Sequence, residues 1–254
     1  HTFLKQTILK QAWHIVFSIV MLLSASACQK EGAGCFESRG DQSSERRELE
    51  QFNDLRVDGR INVILVQDTL NFAIITFGEK GLAGIETNWS DGELRIEETN
   101  TCNWTRKVNP LPEVELHFTT FKNLYTKSAA EVRFQNAFEA DSLNIEINDA
   151  AGSVFVKVNC QFLSIIGHTG ATDVTAEGNA DEIYIYNASY APINTELLTT
   201  RIASVHNNSS GDTYVRATER LNTTIEEDGD IYIYGGATIR GTQTGSGQVF
   251  IMGD

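Results

Sequence analysis

The sequence of 254 residues predicts an all-β chain: a right-handed parallel β-helix (solenoid) with a less regular, partly antiparallel N-terminal cap. Three observations predict it. Apolar anchors recur at Leu124, Leu143, Leu163, Ile183, Ile202, Leu221 and Ile239, in steps of 19, 20, 20, 19, 19 and 18 residues, and a sustained period of that length marks a solenoid. Second β runs begin at Val154, Val174, Ile193, Thr213, Ile231 and Val249, each 10 or 11 residues beyond its anchor. Between the runs lie small or polar turns such as Asp149-Ala150-Ala151-Gly152, His168-Thr169-Gly170-Ala171, Glu227-Asp228-Gly229 and Thr244-Gly245-Ser246-Gly247. A coil with one apolar stripe per run cannot bury that stripe alone, whereas stacked coils share a continuous interior column. With strands about 4.8 Å apart, seven coils would make a rod about 30 Å long.

At the N-terminus, Lys5 and Lys10 precede an apolar stretch from Ala12 to Leu23, closed by Ser24-Ala25-Ser26-Ala27 before Cys28. The stretch is short for a membrane span and reads as an export signal over residues 1–27. The small residues before Cys28 resemble the lipobox of bacterial lipoproteins, in which that cysteine is lipidated and becomes the new N-terminus. Ordinary cleavage after Ala25-Ser26-Ala27 is the competing reading and would leave a secreted chain beginning with cysteine. Lipidation of Cys28 is the expectation adopted, which places the protein as an outer-membrane lipoprotein of a diderm bacterium, periplasm-facing or at the cell surface. Gln29-Lys30-Glu31 partly resemble a surface-sorting signal. Residues 28–50, including Glu45-Arg46-Arg47-Glu48, are polar and lack an apolar period, so a lipidated, flexible tether is expected there. Residues 51–254 suffice for one large domain with its own core.

Between Leu55 and Asn123 the β signal continues with less regularity: Ile61 to Val66, Phe72 to Phe77, Leu94 to Ile96 and Val114 to Phe118 alternate or run apolar. Ser90-Asp91-Gly92-Glu93 supplies a hairpin turn between Trp89 and Leu94. Longer, partly antiparallel strands here would seal the first coil, which would otherwise expose unpaired backbone. Asn100 to Pro112 reads as a projecting loop, and no segment of the domain has a persuasive helical period.

The runs Phe52-Asn53-Asp54-Leu55-Arg56-Val57-Asp58-Gly59, Ile61-Asn62-Val63 and Trp89-Ser90-Asp91-Gly92-Glu93-Leu94-Arg95-Ile96, followed by the twenty-residue coils, resemble the head GIN domain family of auto-transporter adhesins over about residues 51–254. The resemblance implies an exported lipoprotein or surface protein with a β-helix-like fold. Coils of that family usually carry a Ser-Gly-Ala-Gly-like turn, which here has drifted to Lys127-Ser128-Ala129-Ala130, Asp149-Ala150-Ala151-Gly152, Thr169-Gly170-Ala171 and Ser246-Gly247.

A net charge of −14 argues against nucleic acid and anionic lipid surfaces as partners. Of the four cysteines, Cys160 lies before an anchor and reads as a small buried thiol, while a Cys35–Cys102 disulfide stays open. No CxxC or metal-spaced Cys/His cluster is present, and no cofactor is implied. Asp173, Asp181, Asp212, Asp228 and Asp230 fall mostly in turns, where Asp serves its own backbone; Asp228-Gly229-Asp230 is the densest acidic point but lacks the repeat of a calcium-binding β-roll. His117, His168 and His206 fall in different coils, and no Ser/His/Asp constellation can be assembled. A non-enzymatic protein is expected.

Strand alternation turns Val154/Val156, Val174/Ala176, Ile193/Thr195, Thr213/Val215, Ile231/Ile233 and Val249/Ile251 inward. The outward ladder then reads Phe155, Thr175, Asn194, Tyr214, Tyr232, Phe250. Tyr214, Tyr232 and Phe250 are the candidate ligand-binding residues, as a platform for sugar rings or a partner protein; the structural reading is that aromatics ladder along a sheet for stability. Tyr184 and Tyr186 form a second outward pair with the same two readings. The expected function is a cell-envelope lipoprotein, an adhesin or binding module presenting a β-helix face to glycan or protein. The alternatives are an envelope scaffold without small ligand, and a polysaccharide-active β-helix enzyme, which would need a carboxylate cluster on one face. The terminal run Val249 to Met252 leaves a strand edge, so an end-to-end homodimer is a further expectation.

Overall fold

Alternation decides the shape of each coil. In the strand Ser153–Gly167, Val154, Val156 and Val158 are buried while Phe155 and Lys157 face out; the pattern then breaks at exposed Gln161 and Phe162 and resumes with buried Leu163 and Ile165. One strand therefore bends through two faces without losing its pairing to the next coil. The computed structural model describes residues 39–100 and 110–253. They form strands β1 (Gln42–Glu48), β2 (Asp54–Gly59), β3 (Asn62–Gln67), β4 (Phe72–Gly78), β5 (Ile85–Ser90), β6 (Glu93–Glu98), β7 (Glu113–Phe118), β8 (Asn123–Ser128), β9 (Glu131–Phe134), β10 (Phe138–Ile147), β11 (Ser153–Gly167), β12 (Asp173–Asn187), β13 (Ile193–Asn207), β14 (Thr213–Ile225), β15 (Ile231–Tyr234), β16 (Thr238–Gln243) and β17 (Val249–Gly253), with one short 3-10 turn at Glu79–Gly84.

The result is a β-solenoid of about seven turns with a curled mixed sheet at its N-terminal part. The first face runs β5, β6, β2, β8, β10, the second halves of β11 to β14, then β16; the second face runs β1, β4, β7, β3, β9, the first halves of β11 to β14, then β15 and β17. Coil-to-coil pairing is parallel throughout; only β1–β4, β4–β7 and β5–β6 are antiparallel, all in the cap. Coil order departs from chain order at one place. The β2–β3 coil lies between β6–β7 and β8–β9, pairing with both.

The interior column holds Leu163, Ile183, Ala203 and Leu221 from the first face against Val154, Val174, Ile193 and Val215 from the second. Toward the N-terminal part, Phe52, Phe118, Phe121, Phe134 and Phe138 pack ring on ring, with centroids 4.8 to 6.0 Å apart for Phe118–Phe121, Phe121–Phe138, Phe134–Phe138 and Phe52–Phe121. Burying each such ring stabilises the fold by roughly 1.5–3 kcal/mol. The predicted hairpin is present: Trp89 pairs with Leu94, and Asp91 and Gly92 both take positive φ, 52° and 84°, as a two-residue turn of this hand requires.

Turns between faces stack backbone on backbone. A Cβ on Gly211, Gly229 or Gly247 would lie 2.2 to 2.4 Å from a carbonyl oxygen of the preceding coil, so each of these positions needs glycine. Beside them, Asn187 and Asn207 occupy the same place in successive coils and are fully buried. The Asn207 amide donates to the Gly211 carbonyl at 3.0 Å, and its Oδ1 accepts from Ser209 Oγ at 3.0 Å, which satisfies turn groups that water cannot reach.

Three expectations need correction. Leu124 pairs with Ile145 rather than Leu143, and Ala203, not Ile202, continues the anchor column between Ile183 and Leu221. The cause of the second shift is a bulge over 196–199 in β13: against β12 one extra residue falls between Asn194 and Leu197, and against β14 Thr195 pairs with Val215, yet Thr200 pairs with Ala217. Arg216 Nε holds it by donating to the Glu196 carbonyl at 2.9 Å, and the repeat shortens from 20 residues (Leu163 to Ile183) to 18 (Leu221 to Ile239). Residues 42–48, expected in the flexible tether, are strand β1. Paired polar and charged groups replace the missing apolar period: Ser44 bonds Thr76 at 2.9 Å, the Arg46 guanidinium sits 3.5 Å from the Phe72 ring, and Arg47 Nη1 donates to the Ile85 carbonyl at 2.6 Å. Finally, Val249 and Ile251 keep the inward register of Ile231 and Ile233 but are exposed, because no further coil covers them among the described residues.

Gly229→Ala is expected to lower stability in a urea melt by about 1–3 kcal/mol through overpacking against the preceding turn, whereas Gly236→Ala, which has open space at its Cβ, should change it by less than about 1 kcal/mol.

Candidate binding face

The outward ladder holds its register across the second face: Phe155 pairs with Thr175, Thr175 with Asn194, Asn194 with Tyr214, Tyr214 with Tyr232, and Tyr232 with Phe250. The last three rings stack. Centroids are 4.6 Å apart for Tyr214–Tyr232 and 5.2 Å for Tyr232–Phe250, with planes within 8° and 16° of parallel. Rings at strand spacing thus cover one another's faces, and the stack offers solvent its edges and the two phenol hydroxyls. Strand alternation identified the three residues; it could not show which way the rings turn.

Acidic groups border the stack. Asp212 Oδ1 accepts from the Asp230 backbone N–H at 2.9 Å, and Asp230 Oδ1 accepts from the Gln248 N–H at 2.7 Å, so each aspartate ties its turn to the next. Burial among neighbouring groups first, then the charges of Asp212 and Asp230, push the Tyr214 and Tyr232 phenols above the ordinary tyrosine value. On the other side, Tyr234 is raised by burial and by Glu196, the first residue of the β13 bulge, while Arg216 lies 5.5 Å from its ring. The bulge therefore sets a carboxylate and an arginine beside the stack, a placement with no signal in the twenty-residue period.

The family model described as "Putative auto-transporter adhesin, head GIN domain" matches residues 51–237. The chain belongs to the head GIN domain family. Membership fits an exported or cell-surface protein, and no helix among the described residues is long and apolar enough to cross a membrane. No curated protein matches the chain. Among solved structures, this head GIN domain is similar to a "putative adhesin" from Bacteroides fragilis NCTC 9343 (TM-score 0.76, 20% identity, covering 82% of this chain and 96% of that one). It is also similar to a "putative lipid binding protein" from Parabacteroides distasonis ATCC 8503 (0.64, 15%, 85% and 98%) and a "putative adhesin" from Parabacteroides merdae ATCC 43184 (0.61, 17%, 85% and 98%). At these identities the likeness establishes the fold.

Elsewhere on the head GIN domain, several polar residues of the turns and strands make structural contacts. Asp228 Oδ1 accepts from Ser246 Oγ, and Asp149 Oδ1 from Thr169 Oγ1 at 2.7 Å, so both acids brace successive turns. His168 and His206 flank Tyr186 edge-on, at 6.2 and 5.1 Å, bringing two of the three histidines onto one face. His117 was missed as part of a cluster: its two ring nitrogens lie 2.8 Å from Asp68 Oδ2 and Glu115 Oε1, and its ring stacks on Phe72 at 4.1 Å. Both nitrogens are committed to carboxylates, which is a clamp and not a nucleophile–base pair. The strand bends line a polar groove of about 600 Å³ with Glu139, Asn159, Asn179, Asp181 and Arg201. Cys160 at its edge is half-buried; burial first, then the Asp181 charge, push its thiol up to about 11. Cys28, Cys35 and Cys102 lie outside the described residues.

Unfolded tyrosines ionise at about pH 10. Phenols raised above that value in the fold contribute stability that is whole below about pH 10 and is lost as pH climbs through the folded values. Ultraviolet titration of wild type minus Tyr232→Phe should therefore show a phenol ionising above pH 10, and Asp230→Asn should bring it back toward 10.

Proposed function

We propose that this head GIN domain protein is a non-enzymatic envelope protein, anchored through a lipid on Cys28, whose second solenoid face serves as an adhesive or binding surface for glycan or protein. The observation that carries the reading is the stack of Tyr214, Tyr232 and Phe250 held in register on one face, bordered by Asp212, Asp230 and Glu196. Because the ring faces within the stack are occupied by one another, a partner on the side of the stack would meet ring edges, phenol hydroxyls and carboxylates. Those groups suit a hydroxyl-rich neutral glycan, or a protein surface bearing lysine or arginine. A net charge of −14 works against sulfated or sialylated glycans. Family membership supports export and surface placement.

A second reading has its own observation. Parallel rings at 4.6 and 5.2 Å are what a sheet-stabilising ladder requires, and a scaffold without small ligand would use them for that alone.

A glycan and extracellular-matrix array with the purified protein, repeated with the Tyr214→Ala/Tyr232→Ala/Phe250→Ala variant, separates the readings. Binding by wild type that falls at least about tenfold in a variant of unchanged circular dichroism supports the adhesive face; absence of any saturable binding by wild type favours the scaffold. For the anchor, Cys28→Ser is expected to move the protein from the detergent-extracted membrane fraction to the soluble fraction, and unchanged fractionation would reject lipidation at this residue.

A further inference from the structure

The two ends of the solenoid are built differently. At the N-terminal part the second face closes with β1, which carries Glu45, Arg46, Arg47 and Glu48, and Arg47 reaches across the end to the Ile85 carbonyl and Thr87 Oγ1 of β5. Charged side chains on an edge strand block further strand addition. At the other end, β16 pairs only with β14 and β17 only with β15 among the described strands, leaving a free backbone edge on both faces. That edge is apolar. Val249, Phe250, Ile251 and Met252 are 37%, 39%, 70% and 52% exposed, and β16 and β17 together carry a single charged side chain, Arg240.

We propose that two copies of this chain join end to end through β16 and β17, about a two-fold axis normal to the sheets, with each strand antiparallel to its mate. Charge selects this occupant. At a net charge of −14, two copies repel over most of their surfaces, and the edge formed by β16 and β17, whose one charged side chain is Arg240, adds no carboxylate of its own to that repulsion. The asymmetry of the ends selects the symmetry. Head-to-tail addition would set apolar β17 against charged β1 and would build an open filament, whereas the isologous arrangement closes at two. The strand is self-complementary about Phe250. In that register Val249 lies opposite the partner's Ile251, continuing the interior column, and Phe250 lies opposite the partner's Phe250, so the uncovered face of the last ring in the stack meets another ring. Six residues of β16 and five of β17 form a small interface by the standards of permanent dimers, so a dissociation constant in the micromolar range is expected. The dimer shares Phe250 with the aromatic face but does not require that face to bind a ligand, and Ile251, in the inward register of Ile233, belongs to the dimer contact alone.

Sedimentation velocity of the full chain in detergent, from about 1 to 100 µM, tests the assembly. Dimer should appear with concentration in wild type and weaken about 100-fold in Ile251→Lys, whose side chain is already exposed and therefore leaves the fold intact. An oligomer driven by the N-terminal apolar segment would persist in that variant and would overturn the proposal, as would wild type that stays monomeric at 100 µM. Mild oxidation reads the register: Phe250→Cys should form an intermolecular disulfide in addition to any that the wild-type cysteines form, since opposed Cβ atoms in an antiparallel pair lie about 4.5–5.5 Å apart, while Met252→Cys should add none. Equal cross-linking at both positions would overturn the pairing about Phe250.

Discussion

Successive coils touch through their backbones at one strand spacing, and the rest of the molecule is arranged so that nothing intrudes on that contact. Where turns stack, Gly211, Gly229 and Gly247 leave no side chain between one turn and the carbonyls of the last. Inside, buried Asn187 and Asn207 close the polar groups that the turns strand away from water. Outside, the same spacing stacks Tyr214 on Tyr232 and Tyr232 on Phe250. Core, turn and surface ladder are three expressions of one repeat distance, which is why the aromatic stack and the aspartates beside it come in register without a dedicated scaffold.

How much of this can be read in the chain follows from which features repeat. The period, the two faces, the Asp91-Gly92 hairpin and the outward positions of Tyr214, Tyr232 and Phe250 are all consequences of alternation and spacing, and they are legible. Departures from the repeat are not. One extra residue in β13 against β12, between Asn194 and Leu197, moves the buried position from Ile202 to Ala203, and small alanine carries little hydrophobic signal beside isoleucine. Strand β1 escapes notice because arginine stems, hydroxyl pairs and a guanidinium over Phe72 do the work of apolar side chains. In the Asp68–His117–Glu115 clamp, Glu115 and His117 share one side of β7, but Asp68 arrives from the end of β3 through a β3–β7 pairing that no local pattern encodes. Ring orientation in the ladder is a three-dimensional property, and it changes what the face can offer a partner from flat aromatic surface to edges, hydroxyls and carboxylates.

The two sides of the bulge differ in kind. Before it, coils of 20 residues bend around the polar groove, where Asn159 donates to Glu139 at 2.6 Å and Asn179 to Asn159 at 3.1 Å, a ladder of mutually satisfied amides. After it, coils of 18 residues carry the stacked rings. Shortening the bend while keeping the turn concentrates the aromatic and acidic side chains toward the apolar end of the solenoid, away from the charged strand that closes the other.

The placement of the β2–β3 coil between β6–β7 and β8–β9 also dictates an order of events during synthesis. The first coil to leave the ribosome has no complete neighbour until Phe118 has been made and gains its second only at Phe134, so the stack does not grow coil by coil from its N-terminus. Residues 54–134 must come together as one nucleus, closing loops of up to about seventy residues, a step that long-range parallel pairing makes slow. Each later coil then finds a finished template and adds by nearest-neighbour contact alone. A truncation that cuts into residues 54–134 removes the nucleus itself, whereas a truncation among the last coils only shortens the product.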